Sequence, residues 1–360
     1  MNSSWGKTLM HPDLYSPIEL GNLQLSNRIW MAPMTRCRAS ADHHPTSLMA
    51  TYYAQRATAG LIIAEATMVV PYTSAYGHEP GLYSPSQVEE WRKVTQAVHQ
   101  NGGQIVLQLW HGGRACHPSF NDGQQPVAAS PLSITSEQAR TPEGYQPYAR
   151  PRELTVQEID SIISAFQYSA RLAGEAGFDG VEIHAANGYL LDTFLRDGSN
   201  HRTDQYGGTL SNRARFLLET IRAVAEEMPV VGLRISPLNS YNDMSDSDPV
   251  GLTTWLAQEL NHLPLTYLHV MRSDFLSRQT GDILSTARTH FKSTLVANMG
   301  YSRDEADAAV QAGTIDACAF GTQYISNPTL PSHFKNNLSL ATPKQEYFYA
   351  GGPVGYTDYS

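Results

Sequence analysis

The chain has 360 residues, 25 of them basic and 34 acidic, for a formal net charge of −9. An acidic chain with no long Lys/Arg run is a poor match to nucleic acid or to an anionic membrane, so neither is expected as a partner. The three cysteines, Cys37, Cys116 and Cys318, are odd in number and far apart, which argues against a disulfide framework or a Cys-based zinc site and suits a reduced, cytoplasmic setting.

Residues 1–8 lack the apolar core of a signal peptide, and apolar runs such as 61–64 are too short to cross a bilayer. Residues 17–25 read as two short strands around Gly21-Asn22, a β-hairpin. A strand at 29–32 follows, ended by Pro33. Strand and helix signals then alternate, with strands at 61–65, 105–109, 180–184, 230–235, 265–270, 294–297 and 315–320. Helices are predicted at 87–99, 155–176, 210–227, 252–260, 302–312 and 327–336. Val88, Trp91, Val94 and Val98 have helical spacing, and Thr155/Glu158 and Ser302/Glu305 form capping boxes. Residues 112–152, rich in Pro, Ser and Gly, follow the third strand and read as a loop over a site.

Eight strand candidates after the hairpin, separated by helices, predict a single (β/α)8 TIM barrel spanning 1–360. The runner-up is a doubly wound open sheet, but no G-x-G-x-x-G follows a strand. In a barrel the functional groups come from the C-terminal strand ends. Polar residues crowd those ends here, while the strand bodies are apolar.

The richest end is Val181-Glu-Ile-His-Ala-Ala-Asn-Gly-Tyr-Leu190. Val181 and Ile183 alternate with Glu182 as in a half-buried strand, and Gly188 lets the backbone turn. His184 and Asn187 can both donate a hydrogen bond; two donors converging on one oxygen polarise a carbonyl or hold an enolate. Tyr189 beside them is a proton source. A rival reading is a metal-dependent barrel hydrolase using His111, His184 and His269, although no acidic cluster supports those histidines.

At its strand ends the chain resembles the old yellow enzyme family of FMN-dependent ene-reductases. The resemblance rests on Met31-Ala-Pro-Met-Thr-Arg36, Ala64-Glu-Ala-Thr67, Gln108-Leu-Trp-His-Gly-Gly-Arg114, the stretch from Val181 to Leu190, the run from Phe194 to Gly208, Leu233-Arg-Ile-Ser-Pro237 and Gly355-Tyr-Thr-Asp-Tyr359. These motifs occur in order over nearly the whole chain.

The resemblance implies a TIM barrel with FMN at its C-terminal mouth and NADPH, or less readily NADH, as hydride donor. By position, Pro33, Met34, Thr35, Ala66 and Gln108 would meet the flavin ring, and Arg234 would sit near its N1 and C2 oxygen. Asn298, Met299, Gly300, Gly321 and Thr322 would hold the phosphate. Tyr76, Trp110 and Tyr356 would wall the substrate pocket, with His184, Asn187 and Tyr189 as catalytic groups and no metal. The substrates implied are electron-poor alkenes, namely enones, enals and nitroalkenes, with nitrate esters and nitro compounds beside them. The assembly would be a monomer or a homodimer. Two departures bear on FMN: Thr322 stands where the family usually has a phosphate-binding Arg, and Met271-Arg-Ser-Asp274 replaces a common Ser-Glu-Pro-Asp. Arg272 and Arg303 are the candidates to supply the missing charge.

Overall fold

A computed structural model describes residues 12–359. The signal-peptide reading of residues 1–8 lies outside them. The predicted hairpin forms as β1 (Ile18–Leu20) and β2 (Leu23–Leu25), paired antiparallel. Gly21 sits at φ 60°, in the left-handed region that a tight turn requires.

Eight parallel strands then close a barrel. They are β3 (Ile29–Met31), β4 (Ile62–Met68), β5 (Ile105–Trp110), β10 (Gly180–Ala185), β11 (Val231–Ile235), β12 (Tyr267–Met271), β13 (Thr294–Asn298) and β14 (Ala317–Phe320). Neighbours in sequence are neighbours in the sheet, and β14 closes on β3. The numbers β6 to β9 belong to the long loop after β5. There β6 (Val127–Ala128) pairs with β9 (Arg152–Glu153), and β7 (Gln138–Thr141) forms a hairpin with β8 (Gly144–Pro147).

Helices wrap the outside: α1 (Ser47–Ala54), α2 (Pro85–Gln100), α3 (Val156–Glu175), α4 (Leu190–Leu195), α5 (Leu210–Ala225), α6 (Pro249–Leu260), α7 (Ile283–His290), α8 (Arg303–Gln311), α9 (Thr322–Ser326) and α10 (Leu330–Lys335). Thr155 and Glu158 cap α3 reciprocally, as their spacing predicts. At α8 only half of the predicted box forms: the Ser302 side chain accepts from the Glu305 N–H. Among these helices none is long and apolar enough to cross a membrane.

Three elements differ from expectation. The helix predicted at 327–336 shortens to α10 and starts only after Pro328, because a residue before proline is pushed out of helical geometry; Asn327, at φ −131°, ψ 82°, instead ends α9, which stops at Ser326. Helices α1 and α7 lack a sequence signal. Residues 47–54 offer little polar contrast to mark a face, and α7 buries only Ile283 and Ala287.

Strand alternation builds two cores. Outward residues such as Leu107, Ile183, Leu233 and Leu268 pack against the helices. Inward residues Trp30, Ile63, Val106, Tyr267 and Val296 fill the lower barrel, with Leu20 and Leu25 of the hairpin packed against them. Trp30 meets Tyr267 edge-on at 5.4 Å. Every strand residue from Gly180 to Ala185 is buried, so β10 is not half-buried as expected. A closed barrel has no wet face, and Glu182 lies inside it.

Candidate active site

Above the apolar layer the inward positions turn polar. Gln108, Glu182, His184, Arg234, His269 and Asn298 share the inward parity of their strands. Of these, Gln108, His184 and Arg234 floor a cavity of about 450 Å³, which Pro33, Met34, Thr35, Ala66, Tyr76, Asn187, Tyr189 and Thr322 also line, while Glu182 and His269 are fully buried beneath it. An adjoining cavity of about 440 Å³ is lined by Asn298, Met299, Gly300, Gly321 and Thr322, so Thr322 borders both. The structure thus gathers the expected ring-side and phosphate-side residues into two contiguous spaces.

His184 is 4% exposed. Its Nδ1 accepts the Ala186 N–H at 3.3 Å. Burial, then the charges of Arg234 and His269, hold the imidazole pKa well below its usual range. The ring is therefore neutral with its proton on Nε2, a fixed donor.

Asn187 occupies the left-handed region, φ 59°, which Asn tolerates better than most residues. Its Oδ1 accepts from Asn239 Nδ2 at 2.8 Å, its N–H donates to Ser236 Oγ at 2.8 Å, and its carbonyl accepts from Asn242 Nδ2 at 2.8 Å. The carboxamide oxygen is thus occupied, leaving the NH₂ as the donor for the cavity.

Tyr189 stands edge-on to His184 at 5.1 Å, and its hydroxyl lies 2.8 Å from that of Tyr76. Burial raises the pKa of both phenols well above the ordinary value, so both stay protonated near neutrality.

Two expected wall residues lie elsewhere. Trp110 is 1% exposed and packs edge-on behind Tyr189 at 5.1 Å. Tyr356 is fully buried, stacked on Tyr52 at 4.0 Å, with the Arg36 and Arg38 guanidinium groups over its ring. The tail instead offers Phe348 and Tyr349 to the cavity, and Tyr349 stacks on Tyr76 at 5.4 Å. Tyr241 and Phe275, from the loops after β11 and β12, complete the wall. Sequence reasoning missed all four; the aromatic run 347–349 was the only available signal.

The three histidines of the rival reading do not converge. His111 Nδ1 accepts the Gly113 N–H at 3.0 Å, and burial drives its pKa down to about 3. His269 donates from Nδ1 to Glu182 at 2.9 Å. Among the described residues no group of three or more His, Cys, Asp or Glu could hold a metal ion.

The donor set fits FMN. Arg234 is nearly buried and its Nε has no partner. Among the described residues the Gly300 and Gly321 N–H groups find no acceptor, which leaves them to bind an anion. Neither candidate basic residue is among those lining the phosphate-side cavity. Arg272 stacks on Tyr301 at 3.7 Å, donates to the Met299 carbonyl at 2.8 Å and pairs with Glu305. Arg303 is tied to Asp304, Asn337 and the Phe334 carbonyl. Asp274, the end of the second departure, knots loops: it accepts from Ser240 Oγ at 2.7 Å and from the Leu276, Arg278 and Gln279 N–H groups.

Barrel, polar mouth and anion-ready turns define a flavin-dependent oxidoreductase. Residues 13–341 match the NADH:flavin oxidoreductase / NADH oxidase family. The chain is 44% identical over 354 residues to a Leishmania infantum protein described as a probable flavin mononucleotide-dependent alkene reductase, covering 96% of each. The old yellow enzyme from Trypanosoma cruzi superposes with a TM-score of 0.94 at 40% identity, over 97% of this chain and 98% of that one. Morphinone reductase in complex with tetrahydroNAD superposes at 0.92 and 41% identity, over 97% of each. The chain belongs to this family, within its old yellow enzyme branch, and is an FMN-dependent ene-reductase using a nicotinamide hydride donor.

Proposed function

We propose that the cavity over Gln108, His184 and Arg234 takes the FMN ring and then, over it, an electron-poor alkene. When bound, FMN supplies the redox chemistry, accepting hydride from NADPH and passing it to the β-carbon of the alkene. The remaining work belongs to the side chains. His184 Nε2–H and the Asn187 NH₂ hold the carbonyl or nitro oxygen and stabilise the charge that develops there. Tyr189 delivers its phenolic proton to the α-carbon, and Tyr76 holds that hydroxyl in place. Arg234 places a fixed positive charge beside the ring, favouring an anionic reduced state. Tyr241, Phe275 and Tyr349 shield the reacting face from water.

One observation carries the reading: His184 and Asn187 each have their acceptor atom occupied inside the protein, so each can meet a ligand only as a donor. Substrates are enones, enals and nitroalkenes, and nitrate esters follow because they need hydride and an anion pocket. NADPH is the preferred donor, residues 1–360 act as one FMN-binding domain, and the protein works as a monomer or homodimer in the cytoplasm. The test is anaerobic titration of purified protein. Yellow colour that bleaches with NADPH and returns with 2-cyclohexenone supports the reading; flavin that bleaches but is not reoxidised by any enone or nitroalkene overturns it.

A further inference from the structure

Beneath the cavity floor lies a carboxylate that neither substrate nor solvent reaches. Glu182 is fully buried on the inner face of β10. Its Oε1 accepts from Gln108 Nε2 at 2.8 Å and its Oε2 accepts from His269 Nδ1 at 2.9 Å. Burying a carboxylate is expensive, and an apolar residue of similar size is often the more stable choice at such a position. Support of the barrel alone therefore explains Glu182 poorly.

Its two bonds have consequences at the cavity. Gln108 is held by its NH₂, so its Oε1 is the atom left for a ligand, and the side chain acts as an acceptor. Freed from Glu182, that amide could rotate and present its donor instead. The second consequence is charge. Arg234 lines the cavity on the strand next to β10, and its guanidinium is fixed and positive. Arg234 pairs in register with His184, two residues beyond Glu182 on the neighbouring strand, so the Glu182 charge acts on it through space. His269 is kept neutral by burial, and His184 likewise, so Glu182 and Arg234 are the opposed charges under the floor.

We propose that Glu182 is a positioning residue for the cofactor: it fixes Gln108 as an acceptor toward the bound flavin and tempers the field of Arg234, and so sets the flavin reduction potential. The inference rests on the reading that FMN occupies this cavity.

The test uses the full-length protein and compares wild type with Glu182→Gln. The glutamine can accept from Gln108 while His269 changes tautomer to accept from its NH₂. The reading predicts FMN dissociation within about threefold of wild type but a midpoint potential raised by about 30 mV, equivalent to tenfold tighter retention of reduced over oxidised flavin for a two-electron couple. The direction follows because deleting a buried negative charge favours the more anionic form. Glu182→Asp, which keeps the charge, is expected to return the potential toward wild type. Gln108→Leu, which removes the oriented acceptor but keeps Glu182, is expected to shift the visible flavin band and weaken FMN binding at least threefold. Yellow Glu182→Gln with unchanged potential and absorption overturns the proposal. If that variant does not fold, Gln108→Leu with an unaltered band and affinity does so. A wild-type apoprotein that fails to bind FMN removes the site reading itself, whatever the variants do.

Discussion

The hydroxyls of Tyr76 and Tyr189 are 2.8 Å apart, joining the loop after β4 to the turn after β10 across the cavity. Burial keeps both phenols protonated, so Tyr189 can give up a proton only to a strongly basic centre such as an enolate carbon.

Replacing Tyr189 separates the two half-reactions. Tyr189→Phe is expected to leave flavin reduction by NADPH within about twofold, while reoxidation by an enone slows by roughly 10²–10⁴, the range for loss of a general acid. Reoxidation by a nitrate ester, which needs no such proton, should be largely spared. Tyr76→Phe removes one neutral hydrogen bond and should slow enone turnover by roughly tenfold. Stopped-flow absorbance distinguishes these steps, and equal losses in all of them would make Tyr189 structural.

The oxygen-binding pair should be costly to remove. His184→Ala or Asn187→Asp is expected to lower enone turnover by roughly 10²–10³, as for one lost oxyanion donor. Asp is the cleaner replacement at 187 because it tolerates the left-handed backbone that alanine would strain. Because the His184 pKa is held well below the usual value, the ring stays a neutral donor as pH rises through 6 and above. No rate loss should therefore arise from His184 between about pH 6 and 9. Wild-type phenol affinity in either variant, read from the flavin charge-transfer band, would contradict the assignment.

The phosphate-side cavity has no basic side chain in its lining. Charge-assisted hydrogen bonds are worth about 1.5–3 kcal/mol, so FMN should be held at least tenfold more loosely than with an arginine at 322, and the protein isolated partly empty. Thr322→Arg is expected to tighten FMN and raise the melting temperature with FMN present. Titration of apoprotein checks this, and equal dissociation constants would show that the main-chain N–H groups suffice.

Glu65 ties stability to pH. It is fully buried, accepts from the Arg36 N–H at 3.2 Å and the Tyr53 hydroxyl at 3.1 Å, and has its pKa raised to about 7 by burial. A carboxyl whose pKa is higher folded than unfolded stabilises fully below the unfolded value and loses that contribution as pH rises through the folded one. The window is about pH 4.5 to 7, and the loss at full ionisation is about 3 kcal/mol. Wild type should therefore lose stability relative to Glu65→Gln across this window and run parallel to it above pH 8. Denaturant melts at stepped pH measure the difference, and a constant gap would remove Glu65 as its source.

Much of the barrel was legible because alternating apolar residues recur at strand spacing between helix-spaced runs, and because parallel strands place their polar residues at one end. Local chemistry also sufficed to expect His184, Asn187 and Tyr189 around one cavity, since β10 carries the first and the turn after it the other two. The wall of the cavity was not legible. Tyr349 and Tyr356 sit in the same aperiodic tail, and only the anchoring of that tail by Arg36 and Arg38 sends Tyr349 to the cavity and buries Tyr356 against Tyr52. The place of Glu182 was equally hidden. Alternation alone puts a carboxylate opposite an apolar face, which in an open sheet means water. By itself the sequence determined which residues share a strand face and which end of the barrel carries chemistry, because both follow from spacing along the chain. Tertiary structure alone decided that the second face of β10 is a closed interior, and which distant aromatic rings meet over it, because closure and loop packing join residues whose separation in sequence carries no period.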